Sequence, residues 1–205
     1  MNPQFDNKAF LEKHIKDTMS FYHPHCIDPN GGFFQLFKDD GTILDHSTRH
    51  LVSSCRFIFT YSMYAQYFND DAYKTLAQHG IDFLRNVHRN ESTGGYAWVI
   101  KNGEVADPTN HCYGLAFVLL SYATALKAGL GTAKSFIYET FDVMEEQFWE
   151  KDYGLYADEC DGDWEQLSPY RGQNANMHSC EAMIAAFEAT DDRMFLDKAY
   201  LIAEN

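Results

Sequence analysis

The chain has 205 residues, of which 45% are hydrophobic and 16% aromatic, and its formal net charge is −14. This composition indicates a folded globular protein rather than a disordered one. The acidic balance, with no cluster of Lys or Arg, argues against nucleic acid and against an anionic membrane surface as partners.

Apolar spacing, Gly turns and helix breakers predict the first elements along the chain. They are a helix over 10–21 that His23-Pro24 ends, a hairpin over 31–41 turning at Asp40-Gly41, a helix from a Ser47 or Thr48 N-cap to Phe68, and a helix from about Ala72 to His88.

The same order of elements then returns twice. The second round is predicted to contain a hairpin over 94–104 with an Asn-Gly turn, a helix over 110–126, and a further helix that ends near Trp149. The third round opens at Tyr153-Gly154, turns at Asp161-Gly162, and continues into two helices, the last of which begins at Asp191-Asp192.

The repeating unit is therefore a hairpin, an inner helix and an outer helix. Its openings at Gly31, Gly94 and Gly154 are 63 and 60 residues apart. Repeats of this kind bury their apolar faces against one another. We expect an all-α fold, an (α/α)6 toroid that is incomplete at about three and a half helix-pair units, with short β-hairpins on one rim. Residues 1–205 would form a single domain, the N-terminal portion of a ring about twice as long.

The stretch from Arg171 to Glu181 concentrates polar side chains at the start of one inner helix. Asn174 or Asn176 is a candidate N-cap, since a short amide accepts the unpaired N–H groups of a helix start. His178 and Glu181 are three residues apart and share one helix face. Beyond the cap, an apolar stripe is predicted to be buried: Met177, Cys180, Met183, Ile184 and Phe187.

Each round places unusual polar residues at the corresponding point: Arg49 and His50, then Asn110, His111 and Tyr113, then Asn174, His178 and Glu181. Equivalent placement in successive repeats predicts that they converge on one pocket, the usual form of a ligand site. The plainer alternative is that Arg49 pairs with Asp45 at the surface while His50 and His111 are exposed.

Other chemistries have weaker signals. His178 and Glu181 could contribute to a metal site, but no H-E-x-x-H motif or Cys pair completes a ligand set, so we expect no metal. The acidic residues Asp158, Asp161, Asp163 and Glu165 leave a glycoside hydrolase open, although a solvated acidic loop also explains them. No G-x-S-x-G or G-x-G-x-x-G motif is present.

The expected compartment is the cytoplasm. Residues 1–6 show no signal-peptide pattern, and no apolar run is long enough to cross a membrane. The five cysteines are odd in number and dispersed, which predicts buried thiols rather than a disulfide framework. They are Cys26, Cys55, Cys112, Cys160 and Cys180.

Taken together, four segments resemble the N-acylglucosamine 2-epimerase superfamily, and most closely its mannose isomerase, sulfoquinovose isomerase and cellobiose 2-epimerase branches. The segments are the Gly31–Gly41 hairpin with its Lys38-Asp39-Asp40-Gly41 end, the Ser47-Thr48-Arg49 helix start, the helix with Tyr113 and Ala116-Phe117, and Asn174-Ala175-Asn176-Met177-His178 with Glu181-Ala182.

The resemblance implies an isomerase or epimerase that acts on a free reducing sugar such as mannose, without a cofactor, by proton transfer at C2 through an enediolate. Histidine suits this task because it gives and takes protons near neutral pH. By resemblance His178 is the candidate catalytic residue, Arg49, Tyr113 and Asn174 hold the sugar, and Glu181 lies beside His178 and orients it. Family members often pair as homodimers.

The chain departs from the family in one respect. The two histidines that usually act as general acid and base lie in the second half of the ring, to which no part of these 205 residues corresponds. Two other hypotheses therefore stay open: an α/α-toroid glycoside hydrolase, and a non-catalytic half-toroid that binds a partner through its open flank.

Overall fold

Helices and short strands alternate along the chain in the predicted order in the computed structural model, which describes residues 5–205. Residues 1–4 lie outside this range, and with them most of the stretch in which the sequence shows no signal-peptide pattern. The described residues contain seven α-helices: α1 (Lys8–Tyr22), α2 (Leu51–Phe68), α3 (Asp71–Phe83), α4 (Cys112–Lys127), α5 (Ala133–Gln147), α6 (Gln173–Thr190) and α7 (Arg193–Glu204). A π-helical segment, Leu84–His88, extends α3.

The strands are two to four residues long and belong to the rim. They are β1 (Leu36–Phe37), β2 (Ile43–Asp45), β3 (Thr48–His50), β4 (Val99–Lys101), β5 (Glu104–Asp107), β6 (Asn110–His111), β7 (Trp149–Glu150), β8 (Leu155–Tyr156) and β9 (Glu159–Cys160). The first hairpin, β1–β2, lies a few residues later than predicted. The second turns at Asn102-Gly103, where both residues have positive φ, as an Asn-Gly turn requires.

Three inner helices form the centre of the fold. Helix α4 packs between α2 and α6, while α3, α5 and α7 each pack on the outside of the inner helix that precedes them. Helix α4 is apolar on nearly all sides, and its buried residues include Leu115, Val118 and Leu119, because it has neighbours all around. Helix α1 lies against the C-terminal end of α2, where Glu12 accepts a hydrogen bond from Tyr67. The predicted all-α toroidal architecture is confirmed.

Successive units are joined at the rim by strand pairing. Strand β3, which leads into α2, pairs antiparallel with β4 of the second hairpin. Strand β6, which leads into α4, pairs with β9 of the third hairpin. The start of an inner helix is thus held by the hairpin of the following unit.

This pairing corrects the predicted N-caps. Ser47 and Thr48 do not cap α2, because Thr48 lies in β3 and His50 is the N-cap residue, with no side-chain capping bond. Asn174 and Asn176 do not cap α6 either, because Gly172 is its N-cap and both amides lie inside the first turn. The α2 N-cap was predicted two to three residues too early, and the α6 N-cap two to four residues too late.

The predicted apolar stripe of α6 is also partly wrong. Met177 and Ile184 are 49% and 42% exposed, whereas Met183 is fully buried. The other buried positions of α6 hold small residues, namely Ala175, Ser179, Ala182 and Ala186 together with Asn176. Ser179 lies 3.6 Å from Cys112 of α4, measured between Oγ and Sγ. Small side chains let the two inner helices approach closely, which a search for large apolar residues does not detect.

All five cysteines are free thiols; four are buried and Cys180 is half-buried. Within residues 5–205, no helix is both long enough and apolar enough to cross a membrane.

Candidate active site

The three inner helices are in register along the sequence, with a period of 61 residues. Their first residues are Leu51, Cys112 and Gln173. Residues at one depth can therefore be compared directly: Val52, Tyr113 and Asn174 come second in their helices, and Arg56, Phe117 and His178 come sixth. The residues that precede the helices are His50, His111 and Gly172.

His178 is the central residue that the third unit contributes to the candidate active site. Its Nδ1 lies 2.8 Å from Oε2 of Glu181, so an Nδ1–H donates to the carboxylate and Nε2 is left as the basic nitrogen. The imidazole packs against two rings of α4, with its centroid 5.2 Å from that of Tyr113 and 4.9 Å from that of Phe117. The structure therefore brings His178, Glu181 and Tyr113 together, as the sequence predicted.

Trp98 lies between the starts of α2 and α4 and is contacted by two histidines. The centroids of His50 and His111 lie 4.2 Å and 4.1 Å from that of the indole. Tyr113 approaches the same indole at 6.3 Å. Gly114 makes room for the indole, because a Cβ there would lie 3.1 Å from the ring. Trp98 thus links the histidines to the Tyr113–His178 pair.

The surroundings of both histidines favour the neutral form. Burial lowers the pKa of His50, the proximity of the His111 imidazole and the Arg56 guanidinium lowers it further, and Asp107 acts in the opposite direction. Burial also lowers the pKa of His111, although Glu159 and Asp107 act in the opposite direction. Nδ1 of His111 lies 3.2 Å from the Glu159 carboxylate. A neutral imidazole can both donate and accept a hydrogen bond, which suits contact with hydroxyl groups.

A cleft of about 410 Å³ opens beside these residues at the start of α2. Its polar lining comes from the first two units: Gln35, Thr48, His50, Ser53, Arg56 and Tyr113. The side chain of Arg56 is exposed, and its guanidinium carbon lies 5.0 Å from the centroid of Phe117. The cleft therefore combines a cation, neutral histidine and hydroxyl groups.

Arg49 does not line this cleft. Its side chain is 5% exposed, and its guanidinium donates to Oδ2 of Asp28 at 2.7 Å and stacks 4.7 Å from the ring of Phe34. The surface pairing with Asp45 is wrong, since the Asp45 carboxylate accepts from Ser47 and from the backbone of Thr48 instead.

The amides of the helix starts divide into exposed and buried ones. Asn174 is exposed in the same layer as Tyr113. Asn176 is buried; it accepts from the backbone N–H of Tyr156 at 2.8 Å and donates to the carbonyls of Tyr156 and Gly172. Asn110 accepts from the backbone of Tyr96 in the same way. Asn174 therefore remains available to a ligand, whereas Asn110 and Asn176 hold the rim together.

The metal and hydrolase hypotheses gain little from the geometry. No group of three His, Cys, Asp or Glu residues within 5–205 is placed to share a metal ion. Asp161 uses its Oδ1 to accept the backbone N–H groups of Glu165 and Gln166 and so organises its own loop.

Sequence reasoning missed Arg56 and Trp98 as members of the site. The signal for Arg56 was present, because it lies two periods of 61 residues before His178. Trp98 carries no such signal, since its position depends on how the second hairpin folds over α4.

Comparison with known proteins places this architecture in a family. Residues 32–205 match the N-acylglucosamine 2-epimerase (GlcNAc 2-epimerase) family. The D-mannose isomerase of Marinomonas mediterranea is 55% identical over 203 residues, which cover 99% of this chain and 51% of that protein.

Solved structures agree. A crystal structure of D-mannose isomerase superposes with a TM-score of 0.96 at 54% identity, covering 100% of this chain and 52% of that one. Cellobiose 2-epimerase from Bacillus thermoamylovorans has a TM-score of 0.87 at 17% identity over 97% of this chain and 55% of that one, a likeness of fold alone. The chain spans about half the length of these relatives.

Proposed function

This chain belongs to the N-acylglucosamine 2-epimerase family, and we propose that it forms the N-terminal part of an enzyme that isomerises or epimerises a free reducing sugar, with D-mannose as the first candidate substrate. The observation that carries the proposal is the His178–Glu181 pair packed on Tyr113 at the mouth of the inner helices. The similarity to D-mannose isomerase along nearly the whole chain supports the choice of sugar.

The chemistry is proton transfer at C2 of the open-chain sugar. A base removes the C2 proton, and the electron pair moves through C1 to give an enediolate. Return of a proton to C1, together with transfer of the O2 proton to O1, yields the ketose, while return to the other face of C2 re-forms the C1 carbonyl and yields the epimer. Histidine serves such a reaction because its pKa lies near neutrality.

We assign the following roles to the residues of this half. Glu181 holds the Nδ1–H of His178, so that Nε2 faces the sugar as acceptor or base. Tyr113 offers a hydroxyl and a ring edge, and Asn174 offers an exposed amide at the same depth. The guanidinium of Arg49 is buried against Asp28, which gives no support to a role in substrate binding. That assignment stays a prediction from the family resemblance. The family resemblance places the principal acid–base histidines in the other half of the ring.

Three further expectations also stay predictions: a single domain over 1–205, a cytoplasmic location and a homodimer.

The hydrolase alternative would require two carboxylates facing each other across the cleft, and Asp161 is engaged in its own loop. A non-catalytic half-toroid would leave the oriented His178–Glu181 pair without a task.

The test uses protein expressed from the complete reading frame, incubated with D-mannose in deuterated water and followed by proton NMR. Fructose carrying deuterium at C1 would show isomerisation, and glucose carrying deuterium at C2 would show epimerisation. His178→Ala should lower either rate, because the pocket then loses the imidazole that Glu181 orients. The matched control is His14→Ala, an exposed histidine of α1 remote from the cleft.

The proposal fails if mannose, glucose, N-acetylmannosamine and cellobiose all remain unchanged and take up no deuterium. It would also lose its assignment to the His178–Glu181 pair if His178→Ala and His14→Ala turned mannose over equally fast.

A further inference from the structure

Three side chains, Gln35, Ser54 and His88, form a continuous hydrogen-bond network behind the start of α2. Nε2 of Gln35 lies 2.9 Å from Oγ of Ser54, which lies 3.1 Å from Nε2 of His88. Nδ1 of His88 in turn lies 2.9 Å from the carbonyl oxygen of Ala97. Ser54 and His88 are 4% and 1% exposed. The Gln35–Ser54–His88 network therefore joins segments that are distant in sequence through buried groups.

The backbone at each end of the network fixes the direction of every bond in it. Oε1 of Gln35 accepts from the backbone N–H of His50 at 2.7 Å, so the amide NH₂ of Gln35 faces Ser54 as a donor. The Ala97 carbonyl only accepts, so Nδ1 of His88 carries a hydrogen. Burial lowers the pKa of His88 to about 4 and so favours the neutral imidazole, whose Nε2 is an acceptor. The Ser54 hydroxyl therefore accepts from Gln35 and donates to His88.

Both ends of the network lie beside the His50–Trp98 pair of the candidate active site. Gln35 holds the backbone N–H of His50, and its Nε2 lies 3.3 Å from the His50 carbonyl. Ala97, which His88 binds, immediately precedes Trp98. The imidazole of His50 contacts the indole of Trp98, with 4.2 Å between the ring centroids, and lines the cleft. The network and the ring contact thus connect His50 to the second hairpin on two sides.

Packing of the inner helices does not itself require this network. Ser54 is the fourth residue of α2, and the fourth residue of α4 is the fully buried Leu115, so an apolar side chain fits the same position of the repeat. His88 ends the π-helical segment, after which the N–H of Arg89 bonds to the carbonyl of Leu84. Such π-helical turns are rare and are frequent at functional sites. Both observations favour a role at the neighbouring cleft over a role in packing.

We propose that Gln35, Ser54 and His88 are positioning residues, which hold the imidazole of His50 against Trp98 at the cleft where it meets a hydroxyl group of the sugar. The inference rests on the proposed isomerase or epimerase function. A hydrogen bond weakens steeply when its angle or distance departs from the optimum, so a small shift of the His50 ring weakens its hold on the sugar. Ser54 and His88 prevent that shift from behind the wall of the cleft.

The first experiment measures kcat/KM for D-mannose in protein from the complete reading frame and in its variants Ser54→Ala, His88→Leu and His88→Gln. Ser54→Ala and His88→Leu interrupt the network and should lower kcat/KM by about 10-fold or more, since a misplacement of about 1 Å costs up to about 10²-fold. His88→Gln keeps a donor for Ala97 and an acceptor for Ser54, so it should retain most of the activity. Ser121→Ala is the matched control, because this buried serine of α4 donates to Val118 within its own helix.

The decisive readout is the same substitution in a protein that lacks the His50 ring. In the His50→Ala background, Ser54→Ala should lower kcat/KM by no more than about two-fold further, because the network then has no imidazole to position. A merely structural defect would lower kcat/KM by the same factor in both backgrounds. Melting temperatures of the variants identify any that fail to fold, and Gln35→Met, at the partly exposed end of the network, then takes their place with the same expected result.

Nitrogen-15 NMR of the imidazoles tests the direction of the network without any sugar. The signals of His88 are assigned by their loss in His88→Gln. At neutral pH they should show a hydrogen on Nδ1 and none on Nε2, because Nδ1 faces a carbonyl and Nε2 accepts from Ser54. Ser54→Ala should shift the Nε2 signal, since that nitrogen then loses its donor.

The inference is overturned if folded Ser54→Ala and His88→Leu keep kcat/KM close to that of the wild type and of Ser121→Ala. It is also overturned if Ser54→Ala costs the same factor with and without the His50 ring, or if His88 carries its hydrogen on Nε2. Failure of the proposed function looks different, because the wild-type protein would then convert none of the sugars and both claims would fall together.

Discussion

Arg49 and Arg171 occupy the same position of the repeat, two periods of 61 residues apart, and make the same kinds of contact. Each pairs with a carboxylate, Asp28 or Glu150, at 2.7 Å and 2.8 Å. The guanidinium of Arg49 lies 4.7 Å from the ring of Phe34, and that of Arg171 lies 3.5 Å from the ring of Tyr153. The side chain of Arg49 is nevertheless 5% exposed, whereas that of Arg171 is 20% exposed.

The surroundings of the two helix starts explain this difference. At α2, Gln35 accepts from the backbone N–H of His50 and donates to Ser54, and Ser54 contacts the buried ring of His88. At α6, the buried amide of Asn176 accepts from the backbone N–H of Tyr156 and donates to its carbonyl. In the first unit the linking amide is that of Gln35, which precedes the helix, and in the third unit it is that of Asn176, which lies within the helix. Different residues therefore join the helix start to the rim in the two units.

A polar residue at a repeated position of this fold therefore has no fixed role. Its role follows from how deeply the neighbouring hairpin covers it, which the following predictions test.

The largest effect is expected from breaking the buried pair at α2. Asp28→Ala leaves the Arg49 charge without a partner in a site that is nearly closed to water. It should lower the free energy of unfolding by about 3–5 kcal/mol, measured by urea denaturation.

Glu150→Ala is the matched control at α6. It should cost at most about 1 kcal/mol, because a partly exposed arginine remains solvated. Equal losses in the two variants would contradict the distinction between the helix starts.

An acid-sensitive group should also distinguish the α2 junction. Burial lowers the pKa of His88 to about 4, while the unfolded chain has a pKa of about 6.5. Because the unfolded state then binds the proton more readily, the stability contributed by neutral His88 is complete above pH 6.5 and falls by roughly 3 kcal/mol as the pH drops to 4. The measurement is the free energy of unfolding against pH.

His88→Gln is the comparison variant, since an amide does not titrate. Its unfolding free energy should fall less steeply between pH 6.5 and 4 than that of the wild type. Parallel curves for the two proteins would show that His88 does not carry the effect.

The smallest effect is expected at the α6 junction. Asn176→Ala removes the hydrogen-bond partners of the Tyr156 backbone and should cost about 2 kcal/mol, since buried groups are left unsatisfied. Asn174→Ala, two residues away but exposed, should change the stability by less than about 0.5 kcal/mol. A larger loss in Asn174→Ala than in Asn176→Ala would restore Asn174 to a structural role.

Local chemistry made much of the fold predictable. The Asn102-Gly103 turn needs positive φ at both residues, and its neighbours alternate as strands, so the hairpin could be placed from the sequence. Regular spacing of apolar residues located the helices, and the 61-residue period brought His178, Glu181 and Tyr113 to one site.

Contacts distant in sequence made the rest unpredictable. Thr48 is drawn into β3 because Lys101 offers a strand partner, which outweighs its preference for an N-cap. Asn176 faces Tyr156 rather than capping a helix. The partner of Arg49 lies 21 residues before it, at the other end of a hairpin, so neither its burial nor its pairing could be read from its neighbours.

The strand pairing between successive units also has a consequence for protein engineering. Because β3 pairs with β4 and β6 with β9, the natural module boundary does not fall at the hairpin openings. A graft cut there would separate His50 from Trp98, and His111 from Glu159. Exchange between homologous toroids should instead preserve each inner-helix start together with the hairpin that follows it, and the cuts belong in the outer helices.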